Sequence, residues 1–397
     1  MAEKVASPPY DVLNSAEARD MAQGNPYSFL HVVKPEIDLP EGTDLYSDDV
    51  YGKGAENLRK LINDGILIRE SDPSFYLYEQ QMGEHVQIGI VAGASVDEYK
   101  NDKIKKHELT RKKKEDDRTR HVESLNANTG PVFLTYHASE EIDSLVSELK
   151  SNAPTYDFVA SDGIRHTLWV IKDSSDVKRL ADAFRNVDLL YVADGHHRSA
   201  AGTRVCDIRR EQNPAHKGTE PYNYFLSVIF PHNQMMILDY NRVVKDLGSL
   251  SPEQFFEKVQ SSFDVESSMK AKPEQSRTWS MLLDGTWYKL TAKPGSFPED
   301  DPVLSLDVAI LQNNLLSPIL GIDDPRTDER IDFVGGIRGI DELEKRHKEG
   351  WALAIACYPT SIDQLMSVAD AGRTMPPKST WFEPKLRSGL IVRPLYD

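Results

Sequence analysis

The stretch LLYVADGHHRSAA, residues 189–201, decides the fold expected around it. Its apolar first half is typical of a short strand buried on both faces. Asp194 and Gly195 interrupt that strand, and the small residues that follow favour a closely packed helix. Such a turn aims unpaired backbone N–H groups outward, where the helix dipole favours an anion. His196, His197 and Arg198 lie at the same turn and can donate hydrogen bonds to phosphate oxygens. We therefore expect a phosphate site. The simpler alternative is that Asp194 ends a strand and the histidines cap a helix.

Composition limits the classes of protein to which this chain can belong. Its 397 residues, 39% of them hydrophobic, suffice for two or more lobes with buried cores. A formal net charge of -16 argues against general binding of nucleic acid. Cys206 and Cys357 are the two cysteines, which argues against a disulfide framework and a cysteine-based zinc site. The sequence has no apolar run of membrane-spanning length and no signal-peptide core, so we expect a cytoplasmic protein that does not bind membranes.

Hydrophobic periodicity predicts a mixed α/β (α+β) chain. We expect strands at Phe29–Val33, Ser74–Gln80, Gln87–Gly93, Pro131–Tyr136 and His166–Ile171, and helices at Tyr51–Asn63 and Asp176–Phe184. A further hairpin is expected to join 222–230 to 234–238. The expected domains are residues 1–248, with N-terminal elements and the catalytic core, a small α/β subdomain at 249–297, and a C-terminal region at 298–397 that returns to the core.

Residues 100–121 form a basic island within an acidic protein. At helical spacing, one polar arc of this island would contain His107, Thr110, Lys114, Arg118 and His121. An arc of this composition favours an anion-binding face. A solvated helix face would carry similar charges, and that alternative stays open.

Glu108, within the same island, is the candidate catalytic carboxylate. A carboxylate beside cations stays ionised near neutral pH and can accept a proton from a hydroxyl held close to it. Phosphoryl transfer needs positioning, charge neutralisation and one such group. The alternative is that Glu108 is a helical i,i+4 partner of Lys112. The glycine-rich loop of nucleotide kinases is absent, since Pro377-Lys378-Ser379-Thr380 matches only the end of that motif.

Taken together, these motifs resemble the free-serine kinases, whose core is like that of ParB and sulfiredoxin. The resemblance covers nearly the whole chain. It is carried by Pro8–Val12, Asn25-Pro26, Lys106–Glu108, Asp116–Arg118, Tyr191–Arg198 and Met375–Lys385. It is strongest to the larger relatives that phosphorylate free L-serine with pyrophosphate, whereas smaller archaeal relatives use a nucleotide. The resemblance implies a ParB/sulfiredoxin-like catalytic core and formation of O-phospho-L-serine and phosphate.

The resemblance also implies roles for particular residues. Glu108 would activate the serine hydroxyl, and Asp194 would orient the substrate or hold Mg²⁺. His196, His197 and Arg198, together with the Gly195 turn, would bind the phosphates of the donor. We add that the dense charge of pyrophosphate calls for further polar groups in the pocket, namely Lys106, His107, Thr110, Arg118 and His121. Lys378, Ser379 and Thr380 are expected to complete the substrate site or, alternatively, to act as a structural clamp.

Three alternatives remain open at this point. The donor could be ATP or ADP in place of pyrophosphate. A ParB-like module that binds nucleic acid or senses nucleotides would agree with the basic island, but not with the net charge or the lack of a helix-turn-helix pattern. A sulfiredoxin-like repair enzyme would need a reactive cysteine near the His196 turn, and Cys206 follows that turn by about two and a half helical turns. The preferred interpretation requires Glu108 to lie beside the 194–198 turn. Oligomeric state is not predicted.

Overall fold

A computed structural model describes residues 1–270 and 272–396. It contains two units, the first made of residues 1–235 and 384–397 and the second of residues 236–383. Both units combine helices with β-sheets, so the mixed α/β class expected from the sequence is confirmed. Among the described residues, every helix is too short or too polar to cross a lipid bilayer.

The first unit is built on an eight-stranded sheet with the order β3-β8-β5-β9-β2-β1-β7-β6. Its strands, with the short pair β4 and β18, are β1 (Phe75–Met82), β2 (His85–Ser95), β3 (Ile104–Lys105), β4 (Ala127–Asn128), β5 (Val132–Tyr136), β6 (Tyr156–Val159), β7 (Arg165–Ile171), β8 (Leu190–Asp194), β9 (Tyr224–Pro231) and β18 (Arg393–Pro394). Most neighbours in the sheet are antiparallel, but β3 with β8 and β5 with β9 are parallel. Because β3 and β8 run in the same direction, they end at the same edge of the sheet.

Nine α-helices are described in the first unit. They are α1 (Ala2–Val5), α2 (Ser15–Ala22), α3 (Leu30–Val33), α4 (Asp48–Asn63), α5 (Val96–Lys100), α6 (Lys112–Leu125), α7 (Glu140–Leu149), α8 (Ser174–Phe184) and α9 (His196–Gln212). Local sequence explains their ends: the Asn14 side chain and Glu17 form a capping box at α2, for example. Apolar residues of α7, α8 and α9 pack against the sheet and form the core that supports β8.

The second unit contains a six-stranded sheet, β12-β14-β13-β16-β11-β15, and the pair β10-β17. Its elements are β10 (Met236–Leu238), β11 (Tyr240–Val244), α10 (Pro252–Val259), β12 (Phe263–Ser267), β13 (Thr278–Leu283), β14 (Thr286–Ala292), α11 (Asp307–Leu311), α12 (Ser317–Leu320), β15 (Ile331–Gly335), α13 (Asp341–Lys348), β16 (Leu353–Cys357), α14 (Ile362–Asp370) and β17 (Trp381–Glu383). Helices α10 and α11 cover this sheet around the buried Trp279.

Several sequence expectations need correction. Phe29–Val33 was expected to be a strand, but 30–33 is a short buried helix, because a run of apolar residues does not by itself distinguish the two. The hairpin expected at 222–238 is wrong: β9 pairs with β2 and β5, whereas β10 pairs with β17. The stretch 249–297 supplies three strands of a larger sheet, and 298–397 is divided between the two units.

Candidate active site

Strand pairing brings the two informative motifs together. Ile104 pairs with Leu190 and Lys105 with Tyr191 in parallel register. The segment that begins at Lys106 and the turn that follows Asp194 therefore leave the same edge of the sheet side by side. The sequence interpretation required Glu108 to lie beside the 194–198 turn, and it does. The two segments meet through β3, a two-residue strand that the hydrophobic periodicity did not indicate.

Gly195 makes the sharp turn from β8 into α9. It is the N-cap of α9 with φ of +97°, a left-handed conformation that favours glycine. Its carbonyl accepts hydrogen bonds from the backbone N–H of Arg198 at 2.8 Å and of Ser199 at 3.0 Å. A Cβ at this position would lie 3.2 Å from both Cζ and Nε of Arg198. The missing side chain therefore lets the Arg198 guanidinium pack directly against the turn.

Two buried histidines lie under this turn. The rings of His107 and His196 meet edge to face with their centroids 4.4 Å apart. Burial lowers the pKa of His107 to about 4, opposed by Asp194 and by a hydrogen bond with the backbone of Val192. Burial and the neighbouring His107 hold the pKa of His196 well below its ordinary value. Both imidazoles are therefore neutral near pH 7, and each acts as a hydrogen-bonding group without a positive charge.

Glu108 faces the solvent beside this pair. Its Oε2 lies 3.7 Å from Nδ1 of His196, and its side chain is 49% exposed. In the described part of the chain, Nε2 of His196 and Nδ1 of His107 are buried without a hydrogen-bond partner. Buried polar atoms in that state require a partner from a ligand or from water. The carboxylate and the two rings thus border a site with unused hydrogen-bonding capacity.

Asp194 is held ionised by two cations. Lys385 Nζ lies 3.1 Å from its Oδ2, and an Arg198 nitrogen lies 3.8 Å from its Oδ1. Burial on its own would raise the pKa of this carboxyl, but Lys385 and Arg198 outweigh that effect and hold it well below the usual range. The same Arg198 nitrogen is 3.8 Å from Oδ2 of Asp11, while another donates to the carbonyl of Pro131. The charged side chains therefore alternate in sign, in the order Lys385, Asp194, Arg198 and Asp11.

His197 is oriented by the segment that follows Glu108. Its Nε2 accepts a hydrogen bond from the backbone N–H of Arg111 at 3.0 Å, which places the ring proton on Nδ1. Burial lowers the pKa of His197, and the nearby Lys114 and Arg111 lower it further, although Asp11 opposes them. A neutral ring with one N–H donor follows from this arrangement.

The expected helical arc from His107 to His121 is wrong, because α6 begins only at Lys112. His107 lies in the preceding loop against His196, as described above. Thr110 also precedes the helix and donates to Glu115 at 2.8 Å. Lys106 Nζ is bound to Oδ1 of Asp102 at 2.8 Å. These contacts place the side chains of Lys106 and Thr110 on partners other than the 194–198 turn.

Arg118 and His121 border a small cavity together with Arg198, Ser388 and Thr129. The Arg118 guanidinium lies 3.9 Å from the centroid of the Tyr10 ring and is ion-paired with Asp117 at 2.8 Å. His121 Nε2 contacts the Val32 carbonyl at 3.1 Å, and burial lowers its pKa to about 3. Arg118 and His121 thus share a cavity with Arg198, but their partners are Tyr10, Asp117 and Val32.

Lys378, Ser379 and Thr380 lie in the second unit, just before β17. The backbone of this loop is held in place by hydrogen bonds: Arg242 donates to the Lys378 carbonyl at 3.1 Å, and Thr360 donates to the Ser379 carbonyl at 3.0 Å. Lys378 has φ of +59°, an uncommon conformation for a residue with a side chain. Their role in substrate binding stays a prediction.

Asp11 and Lys385 were missed as site residues. Both belong to stretches that carry the family resemblance, Pro8–Val12 and Met375–Lys385. A single charged residue in such a stretch does not by itself indicate a role in a site. The signal that could have found them is charge balance. Asp194 and Arg198, both partly buried charged residues at one turn, need partners, and these had to come from elsewhere in the chain.

The residues present fit a magnesium ion that arrives with a phosphate ligand. Mg²⁺ commonly takes one or two protein carboxylates and completes its shell with water and phosphate oxygens. Asp194 and Glu108 both lie near His196 and provide carboxylates of this kind. Among the described residues, no cluster of three or more histidine, cysteine or acidic side chains has the geometry of a metal site.

Geometry and charge define this chain as a mixed α/β protein with a charged pocket at a strand–turn–helix junction. The chain belongs to the DUF1015 family, described as a protein of unknown function, whose model matches residues 1–309. No curated protein sequence matches it.

Three solved structures are examples of proteins that are similar to this chain. A free serine kinase variant in complex with AMP is 12% identical, with a TM-score of 0.38 over 76% of this chain and 92% of that one. A conserved hypothetical protein from Pyrococcus furiosus is 12% identical, with a TM-score of 0.36 over 76% of this chain and 95% of that one. C-terminally truncated SbnI from Staphylococcus aureus is 12% identical, with a TM-score of 0.38 over 77% and 87%. Similarity at this level does not indicate a function, so the function is inferred from the residues of the site.

Proposed function

We propose that this protein is a kinase that transfers a phosphoryl group from pyrophosphate to the hydroxyl of free L-serine. The observation that supports the proposal best is the position of Glu108, 3.7 Å from a neutral histidine at an anion-binding turn. This arrangement combines a solvent-facing carboxylate with donors aimed at a phosphate. The motif resemblance described above points to the same reaction.

In the proposed reaction, the serine Oγ attacks one phosphorus atom of pyrophosphate, and the bond from that phosphorus to the bridging oxygen breaks. The hydroxyl proton passes to Glu108, and inorganic phosphate leaves. Glu108 suits this role because its side chain is half exposed and can meet a substrate, and because the histidine rings beside it are neutral. Products are O-phospho-L-serine and phosphate.

The phosphates of the donor would lie against the 194–198 turn. Helix α9 begins at this turn, where the backbone N–H groups and the helix dipole favour an anion. The Arg198 guanidinium and the N–H donors of His196 and His197 supply hydrogen bonds. Asp194 would hold a bound Mg²⁺, which would supply positive charge to the phosphates.

The choice of pyrophosphate over a nucleotide is supported by charge and by sequence. Cations from three parts of the chain, Arg111, Arg198 and Lys385, border the turn, which suits a compact and highly charged donor. The sequence lacks the glycine-rich loop that holds nucleotide phosphates in P-loop kinases.

A donor comparison tests the proposal. Purified protein is incubated with L-serine, Mg²⁺ and one of pyrophosphate, ADP or ATP, and O-phosphoserine is followed by phosphorus NMR. We expect product with pyrophosphate, and no product when Mg²⁺ is removed by a chelator. Turnover with ATP but none with pyrophosphate would overturn the donor and keep the kinase. Absence of O-phosphoserine with every donor would overturn the proposed function.

A further inference from the structure

We propose that Asp11 binds the α-ammonium group of the amino acid acceptor and so restricts the substrate to free amino acids. This inference rests on the proposed function and adds a specificity residue to it. Asp11 is a carboxylate beside Arg198, and unlike Glu108 and Asp194 it has no task in the mechanism above.

The backbone fixes Asp11 at the border of the site. Ser7 and Ser388 exchange backbone hydrogen bonds of 3.0 and 2.9 Å, which hold the segment in front of it. The partly buried Tyr10 ring packs against the Arg118 guanidinium, whose carbon lies 3.9 Å from the ring centroid. A turn then follows, in which the Val12 N–H donates to the Pro9 carbonyl at 3.3 Å. Asp11 is therefore presented on a segment held on both sides, as a binding group needs to be.

The contacts of Asp11 leave its oxygens with capacity for a ligand. Its cationic neighbour is Arg198, whose nitrogen lies 3.8 Å from Oδ2, too far for a hydrogen bond. The side chain is 40% exposed. An ionised carboxylate accepts several hydrogen bonds, so Asp11 can bind a donor that enters from solvent.

The charges around Asp11 indicate what that donor is. Arg198 lies between Asp11 and Asp194, at 3.8 Å from each, so an anionic phosphate on Arg198 would place an adjacent positive group of the acceptor next to Asp11. A carboxylate this close to a phosphate site repels the phosphate unless it serves a cation. An ammonium group supplies the single positive charge that pairs with this carboxylate, and it makes charge-assisted hydrogen bonds to it.

Calorimetric binding tests this inference without requiring turnover. L-Serine and 3-hydroxypropionate, which lacks the amino group, are titrated into wild-type protein and into Asp11→Asn, each with Mg²⁺ present. We expect Asp11→Asn to weaken serine binding about 10- to 100-fold, as for the loss of a charge-assisted hydrogen bond. Binding of 3-hydroxypropionate and of pyrophosphate should be unchanged. Asp11→Glu, which keeps the charge, should recover part of the affinity for serine.

A matched control is Asp49→Asn, which removes one exposed carboxylate from the first turn of α4 in the same unit. It should leave all three affinities unchanged. Equal serine affinity in wild type and Asp11→Asn would overturn the inference. An equal loss of affinity for serine and 3-hydroxypropionate would also overturn it. A variant in which only the Mg²⁺ dependence of binding changes would do the same. If wild-type protein binds no serine even with pyrophosphate present, the proposed function fails, and this is recognised without any variant.

Discussion

At the scale of single residues, Glu108 carries the proposed chemistry. We predict that Glu108→Gln lowers kcat about 100-fold or more, because the amide cannot accept the hydroxyl proton. Stability should change little, since the side chain is half exposed. The measurement is steady-state turnover combined with urea unfolding. Glu84→Gln, at the exposed β1–β2 turn, is the matched control and should keep full activity. A near-normal rate in Glu108→Gln would remove this residue from the mechanism.

Arg198 tests the phosphate site. We predict that Arg198→Ala raises the KM for the donor about tenfold or more, and the KM for serine less, because a buried charge-assisted hydrogen bond to phosphate is lost. Arg198→Lys keeps the charge but not the forked geometry, so its donor KM should lie between the two. Kinetics with each substrate varied in turn provide the measurement. Equal effects on both KM values would contradict the assignment.

At the scale of elements, the β8–α9 turn depends on its glycine. We predict that Gly195→Ala lowers the free energy of unfolding by about 1–2 kcal/mol, the usual effect of a side chain in the left-handed region. It should also raise the donor KM, because the new Cβ would lie 3.2 Å from the Arg198 guanidinium carbon. Gly83→Ala is the matched control: Gly83 has φ of +59° and open space around it, so stability should fall while the donor KM stays unchanged. An unchanged donor KM in Gly195→Ala would show that Arg198 does not depend on this turn.

Elements also show what the sequence could and could not predict. The β8–turn–α9 unit was predictable because an apolar run, a glycine and small residues all specify the same geometry. The start of α6 was not, because the Arg111 N–H is held by His197, a partner distant in sequence. The strand β3 is only two residues long and exists through its pairing with β8. Local patterns thus predicted the motifs, whereas long-range contacts placed Asp11 and Lys385 beside them.

At the scale of the whole molecule, buried histidines couple stability to pH. Burial lowers the pKa of His107 to about 4 and the pKa values of His121 and His166 to about 3. It also holds the pKa of His196 well below its ordinary value. Below pH 6.5, the unfolded chain takes up protons at these positions and the folded chain does not. The stabilisation is therefore fully present above about pH 6.5 and is lost as the pH falls toward the lowered pKa values.

We predict that the free energy of unfolding, measured with urea at pH 7.5, 6.0 and 5.0, decreases steadily across this range. Each histidine adds at most about 1.4 kcal/mol per pH unit to the slope. His121→Gln, which can still donate to the Val32 carbonyl, should reduce the slope. The exposed His137→Gln should not. Equal stability at pH 7.5 and 5.0 would show that these rings titrate alike in the folded and unfolded chain.

The contact between Asp194 and Lys385 joins positions 191 residues apart. A ribosome that makes the chain in order delivers Asp11 first, Asp194 second and Lys385 last of the three. A nascent polypeptide can therefore assemble most of its large sheet while the pocket still lacks one of its cations. A chain interrupted before Lys385 would then contain the strands of that sheet but lack the cation that pairs with Asp194.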